Sequence, residues 1–147
     1  MSACTFFGHR DCPDSVLSSL RAAVFDMIAN HSVECFYIGN HGNFDRLALR
    51  VLREAKTAYP QIRYAVVLAY MPRGNDPLPL PAEETLFPEG SETVPKRFAI
   101  SWRNRWMINR AEYVVCYITH SWGGAAQCVR QAERKHRQIT NLSESPI

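Results

Sequence analysis

The stretch RNRWMINRAEYVVCYITHSWGGAAQCVRQA, residues 103–132, reads as a helix, a buried strand and a glycine pair that opens a second helix. Tyr113 to Thr119 (YVVCYIT) is continuous, β-branched and aromatic, and too short for a helix, so it predicts a strand covered on both faces. Gly123-Gly124 follows where that strand should end, and Ala125 to His136 has helical spacing. A strand, a tight glycine turn and a helix N-terminus together set backbone N–H groups and the positive end of a helix dipole where an anion can sit.

Working outward, the same alternation recurs. Ala3 to Phe7 predicts a first strand ending at Gly8-His9-Arg10, followed by a helix capped at Asp11 or Cys12 with Pro13 in its first turn. Val33 to Ile38 predicts a second strand ending in Gly39-Asn40-His41-Gly42. A helix over 43–59 comes next, capped by Asn43, with Asp45 in its first turn and Pro60 beyond its end. Its buried face should carry Phe44, Leu47, Ala48, Val51, Leu52 and Ala55. Ile62 to Tyr70 predicts a third strand, and residues 73–99 lose all periodicity. That segment holds five of the nine prolines and reads as an irregular flap with a short strand near 85–87, either a lid or a plain surface connection. Ser101 is positioned to cap a short helix over 102–110, and Gln138 to Leu142 fits a final strand. Strands too apolar to be half exposed, alternating with helices, predict an α/β fold: a Rossmann-like three-layer sandwich with a mostly parallel central sheet and helices on both faces.

Bulk properties narrow the function classes. The chain has 147 residues and a mass of 16.8 kDa, which fits a single domain, 1–147, with a full core. A net charge of +3 suits a phosphate-bearing small ligand and falls short of the dense basic stripe of a nucleic-acid binder. No apolar run approaches the ~20 residues of a membrane span, and MSACTFFGHRD lacks the features of a signal peptide. Five cysteines without CxxC spacing read as free thiols, with Cys4, Cys35 and Cys116 inside strands. The cytoplasm is the expected compartment.

In such sheets ligands bind beyond the carboxyl ends of the strands, where strand order reverses. Gly8, His9, Arg10, Gly39, His41 and Gly42 gather there, and so does the His120–Gly124 turn. Glycine lets a backbone approach a ligand closely, and arginine offers phosphate a two-pronged donor. The histidines lack H-x-x-x-H spacing and a carboxylate at ligand distance, so no metal and no resident cofactor are expected. Trp122, beside the glycine pair, is the candidate to stack on a base, whereas Trp102 and Trp106 fit packing. The GxGxxG fingerprint of dinucleotide folds is absent.

TFFGHR at 5–10, GNHGNFD at 39–45, RNRWM at 103–107 followed by AEYVV, and WGGAAQCVRQA at 122–132 together resemble the SLOG superfamily. This Rossmann-like group joins the DNA-processing protein DprA/Smf with the Lonely Guy (LOG) phosphoribohydrolases, and the chain looks most similar to its small bacterial YpsA-like branch. The resemblance implies a pocket for a nucleotide or a phosphorylated nucleoside derivative. Arg103 and Met107 match the R-K-x-x-M helix of LOG enzymes, with Asn104 in place of the lysine. Gly123-Gly124 matches part of the P-G-G-x-G-T-x-x-E segment, but Gln127 stands near the position of its glutamate. A glutamine can hydrogen-bond a ribose but supplies no charge to a cation-like sugar. Asp45 and Glu112 are the carboxylates that remain, with Glu112 expected at a helix–strand junction in solvent.

The leading expectation is therefore a binding module, a sensor or regulator. Arg10, Arg103 and the N–H groups around Gly123-Gly124 would hold phosphate, and His9, Asn104 and Asp45 would contact ribose or base. The alternatives are a nucleoside 5′-monophosphate phosphoribohydrolase and, less favoured by the charge, a DprA-like DNA binder. Bulky aromatics on the RNRWM helix make a homo-oligomer a further expectation.

Overall fold

The computed structural model describes residues 2–72, 74 and 76–143. Its first half runs β1 (Ser2–Gly8), α1 (Leu17–His31), β2 (Val33–Ile38), α2 (Asn43–Ala58), β3 (Arg63–Val67) and β4 (Thr85–Leu86). The second half runs α3 (Ala99–Arg110), β5 (Tyr113–Tyr117), α4 (Gly124–Arg134) and β6 (Gln138–Asn141). The six strands form one sheet in the order β4-β3-β2-β1-β5-β6, and every pairing is parallel. This is the expected Rossmann-like α/β sandwich, wholly parallel among the described strands. From β1 the chain winds outward to β4, then returns to lay β5 on the other side of β1. Strand order therefore reverses between β1 and β5.

Two cores show why the strands are apolar on both faces. Leu20, Val24, Leu47, Val51 and Leu52 of α1 and α2 pack with Cys4, Phe6 and Phe36 on one side. Met107, Ile108, Cys128, Val129 and Ala132 of α3 and α4 pack with Phe7, Val114 and Cys116 on the other. Alternate residues of one strand thus serve opposite layers, as the two-residue period of a strand requires. All six positions expected on the buried face of α2 are buried. Each fully buried large side chain contributes roughly 1.5–3 kcal/mol.

Several boundaries and caps differ from the sequence reading. Neither Asp11 nor Cys12 caps α1; a 3-10 turn over Asp14–Val16 precedes it, with no side-chain cap. Asn43 is the first residue of α2, not its cap, and the cap position is Gly42 at φ 93°. The Asn43 amide donates instead to Cys12 O (2.6 Å) and Asp14 Oδ1 (2.8 Å), tying the loop after β1 to α2. α3 begins at Ala99, so Ser101 lies inside it. β3 stops at Val67 and β5 at Tyr117, short of the apolar runs that predicted them. Trp106 is half-buried, edge-on to Tyr37 at 5.2 Å with Arg110 over its face.

The segment after β3 contains the expected short strand, β4, paired to β3. It is fastened to the edge by Glu84, which accepts from both Arg53 (2.8 and 2.6 Å) and the Tyr64 hydroxyl (2.7 Å). Among the described residues no helix is long and apolar enough to cross a membrane.

Candidate functional site

The reversal of strand order leaves a cavity of about 380 Å³ over the carboxyl ends of β1, β2 and β5. Its floor is Phe6, Phe7 and Gly8 of β1, and its walls come from the ends of β1 and β2 and from one face each of α3 and α4. On α3, Ile100, Arg103, Asn104 and Met107 face it together, the spacing of one helical stripe. On α4, Ala125 and Cys128 do the same behind Gly123 and Gly124.

Gly8 and Gly39 are glycines because side chains crowd them. A Cβ on Gly8 would lie 2.2 Å from the Phe44 ring, so β1 meets α2 only without a side chain there. A Cβ on Gly39 would lie 2.9 Å from Asp45 Oδ2 and 3.0 Å from Arg103 Nη1. Gly39 is thus the gap through which a carboxylate and a guanidinium approach the end of β2. Gly123 and Gly124 differ: a Cβ on either would meet nothing within 4 Å. Gly123 has φ 97°, α4 has no side-chain cap, and its first turn opens into the cavity with N–H donors that find no partner among the described residues.

Arg103 is 3% exposed and well tied. Its Nη1 donates to Val67 O (2.8 Å), its Nε to Asn104 Oδ1 (2.9 Å) and its Nη2 to His41 Nδ1 (3.2 Å). Burial works against its charge and nearby Asp45 offsets that; an arginine so placed remains charged. Two of its five N–H donors are left over. Asp45 accepts the His41 backbone N–H at 3.0 Å. Burial pushes its carboxyl up from the usual 3.8 to about 6, against that hydrogen bond and the charges of Arg103 and Arg10. Arg10 is exposed, and its guanidinium hydrogen-bonds to no described residue, although its main chain is pinned by Asn43 N (2.9 Å).

Burial works against a charge on His9 and His41. His9 is buried and accepts the Thr119 N–H on Nε2 at 3.0 Å; burial and His120 lower its pKa. His41 is lowered by burial and by Arg103 and Arg10. Because Arg103 can only donate, His41 Nδ1 accepts and its proton sits on Nε2, which has no described partner. His9, His120 and Trp122 form a ladder of parallel rings, 3.7 and 3.8 Å between centroids, running from the cavity wall to solvent, where Trp122 is 69% exposed.

Of the residues expected at the site, Gly8, His9, Arg10, Gly39, His41 and Asp45 line the cavity, as do Arg103, Asn104, Gly123 and Gly124. Three do not. Gly42 underlies the turn, where a Cβ would lie 2.6 Å from Arg10 Cα. Gln127 is exposed, because three residues beyond Gly124 the helix has turned it away from the cavity. Trp122 reaches the site only through His120. Glu112 is distant, with Oε2 accepting from Ala3 N at 2.7 Å at the start of β5. Cys128, Ile100 and Asp11 were missed. Cys128 was legible as one helical turn beyond Gly124; its thiol, buried against Asn104, is pushed up to about 11. Asp11 had no periodic signal.

The arrangement can bind an anion between the α4 N-terminus and the arginines, and it presents a carboxyl and an imidazole N–H beside that anion. Among the described residues no three His, Cys, Asp or Glu side chains are grouped to hold a metal ion. Compared with known proteins, the chain matches no family model, and no curated protein is similar to it.

Proposed function

We propose that the protein binds a nucleotide or a phosphorylated nucleoside derivative at this cavity, as a sensor or regulatory module. One observation carries the reading: a single cavity at the strand-order reversal contains both the uncapped, glycine-opened N-terminus of α4 and an arginine, Arg10, whose guanidinium is uncommitted. Phosphate sits on the α4 N–H groups and Arg10, with Arg103 supplying its two spare donors. Ribose hydroxyls meet Asp45 as acceptor and His41 Nε2–H as donor. The resemblance to the SLOG superfamily and the cysteines Cys4, Cys12, Cys35 and Cys128, none of them in a disulfide, support a cytoplasmic protein of that kind.

The test is a thermal-shift screen of the whole chain against nucleotides and sugar phosphates, with recovery of each ligand. A ligand at 100 times its Kd adds about 2.7 kcal/mol to stability, which a melting curve resolves. Stabilisation with intact ligand is expected; no shift across the panel removes the reading.

A second reading, hydrolysis of the N-glycosidic bond of a nucleoside 5′-monophosphate, is favoured by one feature. The carboxyl that Gln127 does not supply is present among the cavity-lining residues as Asp45, with a pKa of about 6, in the range suited to proton transfer. Free base released from a hit, and abolished by Asp45→Asn, would establish it.

A further inference from the structure

A second cavity, of about 290 Å³, opens beside the first at the carboxyl end of β3. Its character is different. Leu68 to Pro72, the residues that follow β3, line it together with Pro77 and Pro79 of the flap, and Asn40 and Asp76 add an amide and a carboxylate to the rim. Tyr70 and Met71 are 41% and 53% exposed, a large fraction for such apolar groups. Exposed apolar surface gathered in a concave place marks a binding site more often than surface residues scattered singly. His41 belongs to the walls of both cavities.

Read from α4 toward the flap, the chemistry follows an order. First come backbone N–H groups and Arg10, then Asp45 and the His41 N–H, then the flat and apolar surfaces of Tyr70, Met71 and the prolines. Anion, hydroxyls and flat ring are also the order of groups along a nucleoside 5′-phosphate. The two volumes sum to about 670 Å³, within the range of about 300–1,000 Å³ common to small-molecule sites.

Resting on the function proposed above, we infer that the base of the bound nucleotide seats in this second cavity, against the Tyr70–Pro72 turn and the flap's Pro77 and Pro79, so that the flap forms part of the site. The competing platform is Trp122. One face of its ring is already covered by His120, and the other lies open to solvent, so a base there would be covered on one side only. The cavity is concave and brings Tyr70, with Lys96 Nζ 5.8 Å from its ring centroid, together with Met71 and the prolines, and stacking and burial both grow with the surface covered.

The test is titration calorimetry of the whole chain with the four ribonucleoside 5′-monophosphates and with ribose 5-phosphate. The variants are Tyr70→Ala, Met71→Asp, Trp122→Ala and Arg10→Ala, all at exposed positions, with melting curves to verify that each is folded. At least one nucleotide is expected to bind about tenfold or more tighter than ribose 5-phosphate, the scale of one base stacked on protein. Tyr70→Ala and Met71→Asp should erase that advantage and leave ribose 5-phosphate unchanged, whereas Arg10→Ala should weaken both ligands. A nucleotide advantage that survives the Tyr70 and Met71 variants, and is lost in Trp122→Ala, overturns the inference and keeps the anion site. Equal affinity for sugar phosphate and nucleotides also overturns it alone. Binding of neither probe overturns the inference together with the function on which it rests.

Discussion

Arg103 spends three donors on Val67 O, His41 and Asn104, so it is a structural residue as well as a ligand residue. Arg103→Ala would leave a buried carbonyl without its donor and Asp45 without its neighbouring positive charge. A loss of about 2–4 kcal/mol in stability is expected, measured by urea unfolding. Arg103→Lys should recover only part of it, since an ammonium cannot reproduce three divergent bonds. Asp45 sets a pH dependence. Its folded pKa of about 6 lies above the usual 3.8, so the folded protein holds this proton more tightly than the unfolded chain does. Its contribution to stability is complete below about pH 4 and is lost as pH rises through about 6. Asp45→Asn keeps an acceptor for His41 N and does not titrate. The stability of the variant relative to wild type should therefore rise between pH 4 and 7, by on the order of 2 kcal/mol after allowing for solvent in the cavity. A constant difference across that range would show that Asp45 is not held this way. His9 and His41, whose pKa values are lowered from 6.5, act in the opposite sense: they favour the folded state above that value and lose this as pH falls.

The elements differ in what their glycines do, and a pair of substitutions separates the two uses. Gly8→Ala drives a methyl into the ring of Phe44, a fully buried anchor of α2 against β1. Overpacking of this kind costs about 1–3 kcal/mol or more and should lower the melting temperature whatever ligand is present. Gly124→Ala adds its methyl in open space at the first residue of α4, where alanine is the better helix former by about 1 kcal/mol. Melting should stay the same or rise, while affinity for ribose 5-phosphate falls, because the methyl stands over the N–H groups that receive the anion. Loss of stability in Gly124→Ala, or unchanged affinity, would take the α4 N-terminus out of the site. The helices also show which local signals held. The stripe of α2 was legible because six of its seven buried positions repeat at helical spacing. The caps were not, because Asn43 found partners across the loop at Cys12 and Asp14 in place of its own helix.

At the scale of the whole molecule, both helical layers pack on one sheet, and β1 and β5 contribute side chains to both cores. Neither layer can leave without exposing the other's strands, so unfolding should be a single cooperative transition. Trp102, Trp106 and Trp122 all belong to the second half of the chain, whereas far-UV circular dichroism reads both halves. Coincident urea transitions by the two probes are expected; an earlier fluorescence transition would mean that the α3/α4 layer detaches alone. The fold class, the order of strands and helices and ten of the residues that line the first cavity were legible in the sequence, because apolar runs, helical stripes and glycine turns are local consequences of composition and spacing. Gln127 misled because it was placed by motif register, whereas its direction depends on where α4 begins and how it lies on the sheet. The sequence by itself determined a doubly covered parallel sheet with glycines, histidines and arginines at the ends of its strands. Only the tertiary structure decided that β5 lies beside β1, that Asp45 and Arg103 both crowd Gly39, and that a second cavity adjoins the first at His41. Those depend on strand order and helix docking, which are set by packing between residues far apart in the chain and leave no local trace.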